Sequence, residues 1–241
     1  MASAKHPART RPAAVPRRTR SRTAAAVKEL KSSLPDQAYA MIEEAIVTLR
    51  IPPGAAVSEQ SLSDMTGIGR TPVREAIQRL AREHLIQVLP QRGLLVSAID
   101  VGKQLRLLET RREIERLICR SAARRATPEQ KERFAALAAE FKTAATRNDD
   151  VAFMRADREF NDLCLAAARN EFAEGAMRML HGLSRRFWYV HYKQAADMPE
   201  MARLHANVAV AIGKGDPEAA MKAHDKLLDN LEGFTRATVM S

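Results

Sequence analysis

The stretch Arg70-Thr71-Pro72-Val73-Arg74-Glu75-Ala76-Ile77-Gln78-Arg79-Leu80 decides how this chain is read. Val73, Ile77 and Leu80 recur at helical spacing, which makes one face apolar, while Arg70, Arg74 and Gln78 occupy the other. Thr71 is placed to cap this helix, with Pro72 at its first position and Glu75 in its first turn. Upstream, Ser58 is placed to cap a helix over 59–65 that Gly67 ends, and Ile68-Gly69-Arg70 is the turn between the two helices. Ile42, Ile46 and Leu49, at i, i+4 and i+7, mark an earlier helix that Pro52-Pro53-Gly54 stops. Downstream, 85–89 and 94–97 read as short strands joined through Pro90-Gln91-Arg92-Gly93.

Two short helices, a tight turn, a third helix and a β-hairpin predict a winged helix-turn-helix over 33–98. Such a fold lays the start of its third helix along base edges in the major groove. Arg70 and Arg74 sit there one turn apart. A bidentate arginine–guanine contact discriminates by about 1–3 kcal/mol. The amides at the helix start, with Thr71, suit a phosphate. Arg92 at the hairpin tip is a candidate for the adjacent minor groove, and Gly93 lets the wing backbone come close. Any one of these arginines could equally be an ordinary solvated residue; the combination with a basic wing makes the pattern specific. Tyr39 is the only aromatic residue before position 130, and single-strand and RNA readers need exposed aromatic rings, so duplex DNA is the expected partner.

The charge is uneven. The chain of 241 residues carries a net +10, but residues 1–31 hold nine Lys or Arg against Glu29 alone. That segment has almost nothing apolar to bury and reads as a disordered basic arm over 1–32. It is a DNA-attracting arm, which gains affinity by releasing counterions, or a solvated tail; an organelle transit peptide, which shares its Arg-rich, acid-poor composition, ranks below both. No run of 18 apolar residues and no signal-peptide pattern appears, and Cys119 and Cys164 fit neither a disulfide framework nor a cysteine zinc site. A reduced cytoplasm is the expected setting.

Beyond position 100 the periodicity predicts helices over 101–125, 128–147, 150–169, 171–196, 199–214 and 216–238, an all-α bundle filling 100–241. Ten of the eleven aromatic residues lie here. They read as core, although Trp188, Tyr189 and Tyr192 carry polar tips suited to lining a cavity.

The motif Arg70-Thr71-Pro72-Val73-Arg74-Glu75-Ala76 with Leu80, Pro53-Gly54 upstream and Arg92-Gly93 downstream resembles the DNA-binding domain of GntR-family bacterial regulators. The resemblance implies that Arg70 and Arg74 contact bases and that Gly93 packs on the minor groove. Gly69 stands where the family often has Ser, and Gln60 where Arg is common; Gln60 can still bond to phosphate or adenine. The second half resembles the FCD effector domain of the FadR-like branch. Arg111 and Glu115, Asp157-Arg158-Glu159-Phe160-Asn161, His205, and Gly215-Asp216 before Ala219-Ala220 carry that likeness.

This second resemblance implies an antiparallel bundle with a central pocket, a small carboxylate effector, a homodimer on an inverted-repeat operator, and often a divalent metal such as zinc. The implied ligands are Asp157, residue 161, His205 and a fourth position. Residue 161 is Asn rather than His, and an ungapped count puts Leu227 at the fourth position, with His224 one turn earlier. An amide oxygen is a weaker ligand than imidazole. Either a metal binds through Asp157, Asn161, His205 and His224, or Asp157, Asn161 and His205 meet the effector directly. Arg111 either anchors the effector carboxylate or pairs with Glu115 at i+4. The leading expectation is a ligand-responsive repressor of transcription and not an enzyme. The alternatives are a non-specific architectural DNA binder and a metal-dependent enzyme.

Overall fold

A computed structural model describes Met1 and residues 33–90 and 93–238, without the side chains of 193–195. The basic arm and Arg92 lie outside the described residues. Helix α1 (Leu34–Val47) starts where the Ser33 hydroxyl accepts from the Asp36 amide. Helix α2 (Glu59–Thr66) runs from a reciprocal cap between Ser58 and Ser61 to Gly67, whose φ of 68° is the left-handed stop that glycine takes without strain. Strand β1 (Ala56–Val57) precedes it.

Helix α3 (Arg70–Arg82) begins two residues before the expected start. Its N-cap is Gly69, Thr71 makes no cap, and Glu75 lies beyond the first turn. The reason lies in the backbone. The first intrahelical bond runs from the Val73 amide to Gly69 O, so Pro72 occupies the last position at which a helix needs no N–H. This places Arg70 in the first turn. Val73, Ala76, Ile77 and Leu80 face inward against Ile42, Ile46 and Leu62.

Strands β2 (Ile86–Leu89) and β3 (Gly93–Val96) form the expected hairpin, with Leu89 opposite Gly93. Sequence reading missed β1, which is only two residues long. It pairs with β3, Ala56 opposite Leu95, and makes β3 the centre of a three-stranded antiparallel sheet.

Six helices follow: α4 (Val101–Arg125), α5 (Pro128–Arg147), α6 (Asp150–Ala168), α7 (Glu171–Ala195), α8 (Met198–Lys214) and α9 (Pro217–Ala237). Asp100, Thr127, Asp149, Asn170, Asp197 and Asp216 each cap one through a side-chain oxygen. Phe134 and Phe141 on α5 are fully buried, and Phe160 on α6 meets both edge-on at ring distances of 6.0 and 5.8 Å. Helix α7 also touches the winged helix-turn-helix. A Cβ on Gly182 would stand 2.6 Å from Leu85 Cδ1, so any larger residue there would have to displace the buried Leu85 side chain.

Candidate DNA-reading face and ligand cavity

The exposed start of α3 carries Arg70, Thr71 and Arg74 beside the exposed Gln60 of α2. Arg74 is held by Glu59 through two parallel bonds, Nε to Oε1 and Nη2 to Oε2, each 2.8 Å. Arg70 Nη2 donates to Gln60 Oε1, and Gln60 Nε2 donates to Asp64 Oδ1 at 2.6 Å. The two helices thus pre-position their arginines through carboxylate and amide oxygens. A guanine edge offers the same bidentate acceptor pattern as the Glu59 carboxylate. Glu59 is pulled below its ordinary value by the Arg74 hydrogen bond, so the clamp is charged at neutral pH. The spacing of Arg70 and Arg74 was legible in the sequence; their partners on α2 were not. Gly93 sits at the wing with φ 88°, a conformation other residues take only with strain.

The second feature is a cavity of about 160 Å³ inside the bundle, walled by α4, α6, α7, α8 and α9. A dry engineered cavity of about 150 Å³ accepts benzene, which sets the scale for a small ligand. Asp157, Asn161 and His205 come together on one wall. Asp157 Oδ1 lies 3.1 Å from His205 Nε2 and accepts from Asn161 Nδ2, also at 3.1 Å. His205 Nδ1 is 2.8 Å from Met201 O, an oxygen that can only accept; the ring therefore donates through Nδ1 and turns Nε2 toward Asp157. Phe141 and Phe153 pack against that ring at 5.3 and 5.2 Å.

Another wall holds Arg111, Glu115 and His224. Arg111 Nε donates to Glu115 Oε1 at 2.7 Å, and Nη1 donates to Ser184 Oγ at 3.0 Å. The i+4 pair expected as one alternative is therefore formed, while further guanidinium N–H groups remain in the cavity wall. His224 Nε2 lies 2.7 Å from Glu115 Oε2. Burial would raise the Glu115 carboxyl, but the Arg111 charge and the His224 contact outweigh it and hold Glu115 well below the carboxylate range.

His224 is turned through Nε2 to Glu115 rather than grouped with Asp157, Asn161 and His205, and its buried Nδ1 has no hydrogen-bond partner among the described residues. Among the described residues no group of three or more His, Cys, Asp and Glu side chains is placed to hold a metal ion. One carboxylate, one imidazole and one amide, whose nitrogen is turned to the carboxylate, make a donor set that does not fit a resident zinc.

Sequence reasoning missed three cavity residues on α7: His181, Ser184 and Arg185. They are close in sequence, but nothing in their spacing points at helices 70 residues away. Burial and the nearby Arg111 charge lower the His181 pKa, so its ring is neutral at pH 7. Arg185 also reaches out of the bundle. Its Nη1 donates to Glu43 Oε1 and Oε2 at 2.8 and 2.9 Å, and Nη2 donates to Glu44 Oε2 at 3.0 Å, both on α1. Of the three polar-tipped aromatics, Trp188 lines the cavity, Tyr189 is exposed, and Tyr192 stacks on Trp188. Cys119 and Cys164 line the cavity as free, buried thiols that burial pushes well above their usual range.

Family models match the two parts. The model for bacterial regulatory proteins of the gntR family covers residues 34–96, and that for the FCD domain covers 106–230. The chain belongs to the GntR family, in the branch that carries an FCD domain. It is similar to the HTH-type transcriptional repressor RspR of Escherichia coli (strain K12), 28% identical over 83% of this chain and 88% of that protein. In fold it resembles E. coli McbR/YncC, with a TM-score of 0.73 and 18% identity over 86% of this chain and 99% of the other. A GntR regulator from Rhodococcus sp. RHA1 has a TM-score of 0.65 and 20% identity, covering 86% and 99%. Both families consist of transcriptional regulators rather than enzymes, and this chain is a DNA-binding transcriptional regulator. No described helix is long and apolar enough to cross a membrane.

Proposed function

We propose that this regulator is a cytoplasmic repressor, active as a homodimer on an inverted repeat, and that a small carboxylate in the bundle cavity releases it from DNA. Arg70 and Arg74 read bases, Gln60 and Thr71 hold phosphate or a neighbouring base, and Arg92 with Gly93 settles the wing on the minor groove. The effector carboxylate meets Arg111, and its polar body meets Asn161, Asp157 and His205 directly. The repressor sign is supported by the relative named a repressor, RspR.

One observation carries the reading. Arg185 lines the cavity and also clamps Glu43 and Glu44 of α1. A carboxylate entering the cavity competes with those glutamates for the same guanidinium. Drawing Arg185 inward loosens the winged helix-turn-helix from α7 and changes the placement of the two reading helices. Coupling of this kind is typically about 1–3 kcal/mol, roughly a 5- to 150-fold change in affinity.

The test is fluorescence anisotropy on the chain's own upstream DNA, titrated with a panel of small carboxylic acids and their amides. At least one acid should release the DNA while its amide does not. In Arg185→Met the acid should still bind, seen by calorimetry, with release lost. Release by the amide as well would overturn the carboxylate assignment. Dialysis against EDTA should leave the response intact; its loss, restored by zinc, would show that a metal holds the effector.

A further inference from the structure

A second cleft, of about 410 Å³, lies where the winged helix-turn-helix meets the bundle and adjoins the cavity just described, with Gln104 and Phe187 lining both. Its floor is the connecting segment 97–100, and its walls come from β2, α4 and α7. Leu107, Leu180, Leu183 and Phe187 supply an apolar side.

The polar side is unusual in charge. Arg186 is 2% exposed, and among the described residues it is the one arginine in the buried class. Three partly buried arginines nearby in the bundle are answered by carboxylates: Arg111 by Glu115, Arg112 by Asp229 and Glu232, Arg185 by Glu43 and Glu44. Arg186 has no ion pair among the described residues. Its Nη1 donates to Ser97 O at 2.8 Å and Nη2 to Ala98 O at 3.3 Å. Two carbonyl dipoles do not balance a full charge taken out of water. Burial accordingly lowers its pKa to about 10, a large displacement for a guanidinium. Lys103 and Arg106 stand at the same cleft, exposed and without an ion pair among the described residues. Against these three cations the cleft has one acid, Asp100, whose Oδ1 is engaged by the Lys103 amide as the cap of α4.

We propose that this cleft is a second ligand site, taking an amphipathic organic anion whose head group meets Arg186 and Lys103 and whose apolar body lies against Leu107, Leu183 and Phe187. The head group supplies the counter-charge that the fold withholds from Arg186, and carboxylate or phosphate monoester chemistry serves equally. Because Arg186 holds the carbonyls of the connecting segment, an occupant there fixes the joint between the reading domain and the bundle.

Isothermal titration of the full-length protein with octanoate, octyl phosphate and 1-octanol tests this. At least one of the two anions should bind ten times more tightly than the alcohol, and the tighter anion names the head group. Thr110→Trp, an exposed position on α4 at the edge of the cleft, should weaken anion binding at least tenfold by filling it. Arg186→Met should do the same. Asn161→Trp, which obstructs the other cavity, should leave the binding unchanged. Binding as tight in Thr110→Trp as in the wild type, equal binding of 1-octanol, or loss in Asn161→Trp would each overturn the proposal.

Discussion

The reading face and the bundle cavity are built in opposite ways. Gln60, Arg70 and Arg74 come from two consecutive short helices, and their positions follow from local capping and turn chemistry. The cavity collects Arg111, Asp157, His181, His205 and His224 from five helices spread over the second half of the chain. The arginines of the first are exposed and paired with exposed partners, so exchanging Glu59 for a base costs little. The charges of the second are buried against one another, so each depends on its neighbour. The pairs on the reading face are thus cheap to exchange, while the buried pairs of the cavity wall are not.

The largest effect should come from breaking the buried cluster. Glu115→Ala leaves the Arg111 guanidinium half-buried without its carboxylate and should destabilise the chain by about 3–5 kcal/mol in urea unfolding. A change under 1 kcal/mol would mean that water already screens the pair. Next, Arg74→Ala should reduce discrimination between operator and scrambled duplex by on the order of a hundredfold, with no loss of thermal stability. Retained discrimination would remove α3 from the reading role.

Acid should separate the two regions further. Glu115 lies well below its ordinary 4.5 in the folded chain, so its stabilisation is complete above that pH and fades as pH falls through its folded value. Glu43 is shifted the other way, chiefly by burial, so its contribution is greatest at low pH and declines as pH rises through its folded value. Glu115→Gln should therefore flatten the loss of stability on acidification below about pH 4.5, and Glu43→Gln should not. The smallest effect is at the clamp. Glu59→Gln frees Arg74 from a charged partner and should raise affinity for any duplex a few-fold, with a shallower preference for the operator; unchanged affinity would make the clamp irrelevant to binding.

What could be read in the sequence follows the same division. The cap Ser58 was legible because its side chain acts within three residues of itself, and the bundle helices were legible from their apolar periodicity. The start of α3 was misplaced because Gly69 caps with backbone alone and gives no side-chain signal. Strand β1 exists only through pairing with β3, some 40 residues away. In the cavity, the i+4 pairs Arg111–Glu115 and Asp157–Asn161 were legible from one helix. The capture of His224 by Glu115, 109 positions away, was not, nor was the double role of Arg185. Those depend on how long helices cross, which no local pattern encodes.

The account stands or falls on reading by α3. Binding of the purified chain to its own upstream DNA and to a scrambled duplex, each at two salt concentrations, measures this directly. The account predicts a preference on the order of a thousandfold or more for the upstream DNA, held at both salts while absolute affinity falls. Equal affinity for the two duplexes, vanishing together as salt rises, would contradict it and leave a charge-driven, non-specific binder.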